Sequence, residues 1–162
     1  MDRGKLKLFS NRSGSNFADN LVDELNKLYH ESSHRVQKGD ILDIDFADGE
    51  SKQIIEETVR GVDAYLVQNC LDKYSNRSVQ DNFFEMCQAA YALKGAGASH
   101  VTAIMPYHPF LRQDKNKGRE PITARLAINW IESSGFDNVI TSDMHADQIV
   151  GFYDKVKVDN LK

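Results

Sequence analysis

Short apolar runs alternate with amphipathic helical patterns along almost the whole chain. That alternation constrains the fold more than any other feature. The clearest run is residues 101–105, Val-Thr-Ala-Ile-Met, as in a strand covered on both faces. Before it, Val79, Phe83, Met86, Cys87, Ala90 and Leu93 recur at helical spacing. After it, Ile122, Leu126, Ala127, Trp130 and Ile131 do the same, which puts Trp130 in the expected core. Strands that alternate with helices imply a mainly parallel sheet with helices packed on it.

The rest of the chain extends the pattern. Residues 5–9 alternate as a strand, and residues 11–16 are a polar loop in which Ser15 or Asn16 can cap a helix. Phe17, Leu21, Leu25 and Leu28 then predict an amphipathic helix over about 17–31, with His30 and His34 near its end. Residues 41–46 and 53–55 read as strands, and Asp48-Gly49 between them predicts a hairpin. Residues 62–68 are a further strand. Ser78 and Asp81 make a capping box, and Gly95 and Gly97 stop the helix that follows. Pro121 suits the first turn of the next helix, and Gly135 ends it. Residues 139–141 are the last clear strand, and residues 147–153 suit one or two helical turns. The expected fold is α/β: a mainly parallel sheet flanked by helices, with one inserted β-hairpin. The 162 residues suit a single domain, 1–162, since a domain takes roughly 100–200 residues.

Charge and cysteine content exclude several functions. Twenty basic against 24 acidic residues give a net charge of −4, which argues against a general nucleic-acid binder. Cys70 and Cys87 do not make a disulfide framework, so a reduced, cytoplasmic setting is expected. No apolar run approaches the roughly 20 residues that span a bilayer, and no membrane partner is expected. The N-terminus lacks the apolar core of a signal peptide. Walker, Gly-x-Gly-x-x-Gly and Gly-x-Ser-x-Gly motifs are absent.

In parallel α/β sheets, ligands sit beyond the carboxyl ends of strands. Three polar segments follow such ends. The first, Phe46-Ala47-Asp48-Gly49-Glu50, is explained as far as Asp48 and Gly49 go by plain turn chemistry. The second runs from Pro106 to Lys115, in a long loop, residues 107–119, that holds Arg112, Lys115, Lys117 and Arg119, with His108 as a fifth cation if protonated. Arg112 can pair with phosphate oxygens, and the lysines add point charges, so the loop suits a polyphosphate. A solvated basic loop explains it equally well. The third is Asp143-Met144-His145-Ala146-Asp147. There a carboxylate and an imidazole two apart suit half a divalent-cation site or an acid–base pair. Helix capping is the plainer reading, but three such segments together favour one shared site.

These residues also carry a family likeness. The chain resembles the N-terminal half of ribose-phosphate pyrophosphokinase, or phosphoribosyl pyrophosphate synthetase. The matching stretches include Leu8-Phe9-Ser10, Phe46 to Glu50, Arg60-Gly61-Val62-Asp63, Pro106 to Asp114, Pro121-Ile122-Thr123-Ala124 and Asp143-Met144-His145-Ala146. They run in order over nearly all of the chain. The resemblance implies transfer of diphosphate from Mg-ATP to ribose 5-phosphate, giving phosphoribosyl pyrophosphate and AMP. It implies a phosphoribosyltransferase-like fold and assembly into homo-oligomers. Phe46, Asp48 and Glu50 would contact ATP, typically from a neighbouring subunit. Arg112 and Gln113 would hold the nucleotide, with Asp114 and Lys115 close by. His145, with Asp143 beside it, would ligate Mg2+.

Two departures are visible. Gly151-Phe152-Tyr153-Asp154 lacks the proline that usually follows in the family, and Asp159 comes one residue late, so roles for Asp154 and Asp159 stay open. The acidic, glycine-rich ribose 5-phosphate loop and the flexible catalytic loop of the family's C-terminal half are not in these 162 residues. No catalytic residue is therefore expected in this half, and the chain alone is expected to be inactive. The alternative is a non-catalytic subunit of the synthetase-associated type.

Overall fold

The computed structural model describes residues 4–29, 35–73, 76–142 and 144–161. Its strands β1 (Leu6–Ser10), β2 (Gln37–Lys38), β5 (Asp63–Val67), β6 (His100–Met105), β7 (Asn138–Thr141) and β8 (Lys157–Asn160) form one sheet. The order is β2-β1-β5-β6-β7-β8, and every neighbouring pair is parallel. The inserted strands β3 (Ile41–Asp45) and β4 (Ser51–Ile55) pair antiparallel in a separate sheet.

Side chains along the inner strands alternate between two apolar clusters, as the period of two demands. Leu8 and Val67 join Ala18 of helix α1 (Ser15–Leu28) on one face. Phe9, Ala64, Leu66, Val101, Ala103 and Met105 face the other way. They meet Phe83, Met86, Ala89, Ala90 and Leu93 of α2 (Val79–Gly95), and Ala127 and Ile131 of α3 (Thr123–Ser133). The chain therefore leaves β1 toward one face and β5 toward the other. The crevice between their ends is the point where strand order reverses. Gly14 lets the first turn of α1 press against it: a Cβ there would lie 2.3 Å from the Val67 carbonyl oxygen.

The predicted elements are present, with corrections to α1 and α3 and two added strands, β2 and β8. Helix α1 begins at Ser15 and ends at Leu28, and neither Ser15 nor Asn16 caps it; Gly14 is its N-cap, with no side-chain bond. Its buried stripe is Ala18, Leu21, Val22 and Leu25, whereas Phe17 and Leu28 are exposed. The stripe is rotated because small Ala18 lets the helix approach the sheet. His30 and His34 lie outside the described residues. Helix α3 starts at Thr123, two residues after Pro121. It buries Ala124, Ala127, Ile128 and Ile131, which leaves Trp130 47% exposed on the flank toward α2. There Trp130 stacks on Phe83, with centroids 6.4 Å apart. Strand β8 was not legible: its Lys-Val-Asp-Asn composition is that of a charged edge, paired on one side only. Residues 147–152 form a 3-10 helix.

The hairpin turn lies where expected. Phe46 N–H donates to the Glu50 carbonyl and Gly49 N–H to that of Phe46, at 2.9 and 3.0 Å. The loop is thus Ala47-Asp48-Gly49, three residues with Gly49 at φ +92°. Asp-Gly fills its last two positions rather than a two-residue turn. No helix among the described residues is long and apolar enough to cross a membrane.

Candidate functional site

The segments after β6 and β7 meet at the carboxyl edge of the sheet. Leu111 is 2% exposed and packs in a small cluster with Ala124, Ile128, Met144 and Ile149. Leu111 is the neighbour of Arg112, and Met144 is the neighbour of His145. One apolar cluster therefore brings two of the three sequence-predicted segments together. The Ser142 hydroxyl also donates to the Pro106 carbonyl at 2.9 Å.

Between Leu111 and α3 the chain makes a tight turn. Phe110 adopts φ +67°, which a bulky residue rarely takes. Gln113 N–H donates to the Phe110 carbonyl, and the Gln113 carbonyl accepts from Ala124 N–H. With Leu111 inside, Arg112 and Gln113 point outward and are exposed, Asp114 is half-buried and Lys115 is exposed. Arg112, Gln113, Asp114, Lys115, Lys117 and Glu120 line a cleft of about 500 Å³. Three cations face two carboxylates there, and Glu120 is already engaged by the Lys117 N–H at 2.7 Å. Among the described residues Arg112 has no acidic partner, so its planar fork of donors is open to a ligand.

His108 is not one of the loop's cations. It is 2% exposed, and burial pushes its imidazole down to about 4, so it is neutral. On the other strand end, Met144 is buried and His145 is exposed, while Asp143 lies outside the described residues. Among the described residues no three side chains are grouped to cage a metal. Mg2+ rarely needs such a cage, because phosphate oxygens and water fill most of its shell. The exposed His145 offers such an ion a nitrogen donor, and Asp143, which would add an oxygen, lies outside the described residues. Asp154 pairs with Arg125 at 2.6 Å, and Asp159 accepts from the Asn138 amide at 3.0 Å.

The first segment is placed differently. It is the tip of the hairpin, not the end of a strand of the parallel sheet. Phe46, Asp48 and Glu50 are exposed, and Asp48 accepts the Glu50 N–H at 3.1 Å. Among the described residues, no hydrogen bond, ion pair or ring contact joins this tip to the other two segments. Ile41 and Ile55 of the hairpin pack on the main apolar core, the Gln88 amide donates to the Ser51 carbonyl at 3.0 Å, and a charge cluster adds to both. Arg12 grips Asp45 with both terminal nitrogens, at 2.8 and 3.0 Å, and lies 3.3 Å from Glu85. Arg77 bonds Glu85 at 2.6 Å and also pairs with Asp45. Burial raises the Glu85 carboxyl, and the two guanidiniums oppose that rise. The hydrogen bond from Arg12 lowers the Asp45 carboxyl.

Sequence reading missed Arg12, Arg77 and Glu85. One signal was available: Glu85 falls on the face of α2 that also carries Asn82 and Met86, and a charge on a buried face requires a partner. Burial also settles the cysteines: both are buried, with thiols pushed up, that of Cys87 to about 11.

Residues 6–135 match the family model for the N-terminal domain of ribose phosphate pyrophosphokinase. The chain belongs to this family. A ribose-phosphate pyrophosphokinase of Clostridium tetani is 36% identical over 99% of the chain. A putative ribose-phosphate pyrophosphokinase 2 of Listeria monocytogenes is 40% identical over 98%. The chain spans 46% of each of these relatives. A crystal structure of phosphoribosylpyrophosphate synthetase from Mycobacterium smegmatis superposes with a TM-score of 0.84 at 35% identity. That match covers 97% of this chain and 48% of the other. The fold is thus phosphoribosyltransferase-like, and the chain spans about half the length of the enzymes it matches.

Proposed function

We propose that residues 1–162 are the N-terminal, ATP-side domain of a ribose-phosphate diphosphokinase. The reaction would move diphosphate from Mg-ATP to ribose 5-phosphate, releasing AMP and phosphoribosyl pyrophosphate. The observation that carries this reading is Arg112, without an acidic partner among the described residues, in a cationic cleft that shares an apolar cluster with the neighbour of His145. Arg112 would bind phosphate oxygens in pairs, with Gln113, Asp114 and Lys115 around the nucleotide. His145, with Asp143, would give Mg2+ its protein donors. When bound, the ion would neutralise charge on the transferred phosphates. Phe46, Asp48 and Glu50 stand apart from this cleft, which suits contact with ATP held by a second copy in a homo-oligomer. The acceptor site for ribose 5-phosphate would lie outside these 162 residues.

Calorimetric titration of Mg-ATP into the chain tests the reading. Binding is expected, and Arg112→Ala should weaken it by roughly 10- to 100-fold, the worth of charge-assisted hydrogen bonds. Equal affinity in the variant would overturn the assignment of this cleft. AMP release dependent on ribose 5-phosphate is expected to be undetectable with this chain alone.

A further inference from the structure

One buried polar contact is not used by the reading above. The His108 Nε2 lies 2.5 Å from the Tyr153 hydroxyl, and its Nδ1 lies 3.0 Å from the Pro109 carbonyl oxygen. A carbonyl only accepts, so Nδ1 carries the hydrogen. In a neutral ring Nε2 is then the acceptor and Tyr153 the donor. The two rings are nearly perpendicular, at 81°, so the contact is a hydrogen bond rather than a stack. Burial keeps the imidazole neutral, which this arrangement requires.

The two partners belong to different parts of the domain. Tyr153 sits in a segment pinned to α3. Arg125 bonds the Phe152 carbonyl and Asp154, and Glu132 accepts the Asp154 and Lys155 N–H groups at 2.7 and 2.8 Å. His108 sits two residues before Phe110, whose φ of +67° is kept only where its surroundings hold it. Leu111 and the Gln113 carbonyl hold the far side of that turn. On the near side, the His108 bond ties the turn to α3 through Tyr153.

We propose that the His108–Tyr153 hydrogen bond is a positioning contact. It fixes the left-handed turn at Phe110 and so aims Arg112 and Gln113 at the nucleotide. This rests on the reading of the Arg112 cleft as an ATP site. Both residues act through the turn, and neither touches the ligand.

Tyr153→Phe removes one hydroxyl and keeps the ring. Amide hydrogen exchange at residues 110–113 should quicken by about tenfold, with β6 and α3 unchanged, as loss of one buried hydrogen bond implies. Mg-ATP affinity should fall by roughly three- to tenfold. His108→Gln, which can still accept from Tyr153, should bind Mg-ATP more tightly than His108→Phe. Unchanged exchange in Tyr153→Phe would overturn the proposal. So would faster exchange with wild-type affinity, since the bond would then be purely structural. Nitrogen-15 shifts showing the Nε2–H tautomer of His108 would also overturn it. Failure of the wild-type chain to bind Mg-ATP would instead sink the ATP reading, and exchange would still report whether the bond holds the turn.

Discussion

The hairpin and the strand-end loops carry parts of one proposed site, yet they are attached by different forces. The hairpin packs Ile41 and Ile55 on the main core but adds a charge cluster that the loops lack, Arg12 and Arg77 against Asp45 and Glu85. The loops after β6 and β7 are held by buried neutral groups: Leu111, Met144 and the His108–Tyr153 pair. Ion pairs lose strength in salt and when a carboxylate is protonated. Apolar burial depends on them far less. The two halves of the site should therefore respond differently to the same solution conditions.

The largest effect is expected from Arg12→Ala combined with Arg77→Ala. It strands the buried Glu85, and losing the partners of a buried charge costs about 3–5 kcal/mol. Thermal denaturation measures it. Loss of protection should be greatest at residues 41–55; equal loss at 106–115 would break the distinction between the two regions. Leu111→Ala should cost about 3 kcal/mol through the cavity it leaves. It should expose residues 107–113 and 144–149 to exchange together, with the hairpin unmoved. If only one loop loosens, the shared cluster does not couple them.

Smaller effects depend on pH and salt. Asp45 has its folded pKa lowered by Arg12, so its contribution is present above its ordinary pKa and fades as pH falls through the folded value. Glu85 has the opposite sign: its raised pKa favours the folded state at lower pH. Asp45→Asn should accordingly flatten the acid-side loss of hairpin protection in exchange experiments. A profile like wild type would mean that Asp45 does not anchor the hairpin. The smallest change is expected on raising salt from about 0.1 to 1 M, which shortens the screening length from about 10 to 3 Å. Exchange in the hairpin should rise slightly, while that of residues 107–113 stays constant.

Much of this was legible before the structure. The strand period placed β1, β5, β6 and β7 within a residue or two, and Ser78 with Asp81 marked the start of α2. Arg112 stood out because a guanidinium follows an apolar strand, and Gln113 because the resemblance implies it. The helix flanks were less legible. On α3, residues 122, 126 and 130 are as apolar as 124, 128 and 131, and a period of 3.6 fits either stripe. Packing chose the one with Ala124 and Ala127, whose small side chains let α3 approach the sheet.

By itself the sequence determined the class of fold, because hydrophobic periods of two and 3.6 are properties of neighbouring residues. It also determined the family, because the motif text runs in order along the chain. Tertiary structure decided the rest. It made His108 a neutral acceptor for Tyr153, 45 residues away, rather than a fifth cation. It bound Asp45 to Arg12, 33 residues away, and set the hairpin tip apart from the cleft. It joined Arg112 to His145 through Leu111 and Met144. Each of these depends on which distant groups share a desolvated space, and desolvation sets the charge and partners of a side chain in a way that local order in the chain does not encode.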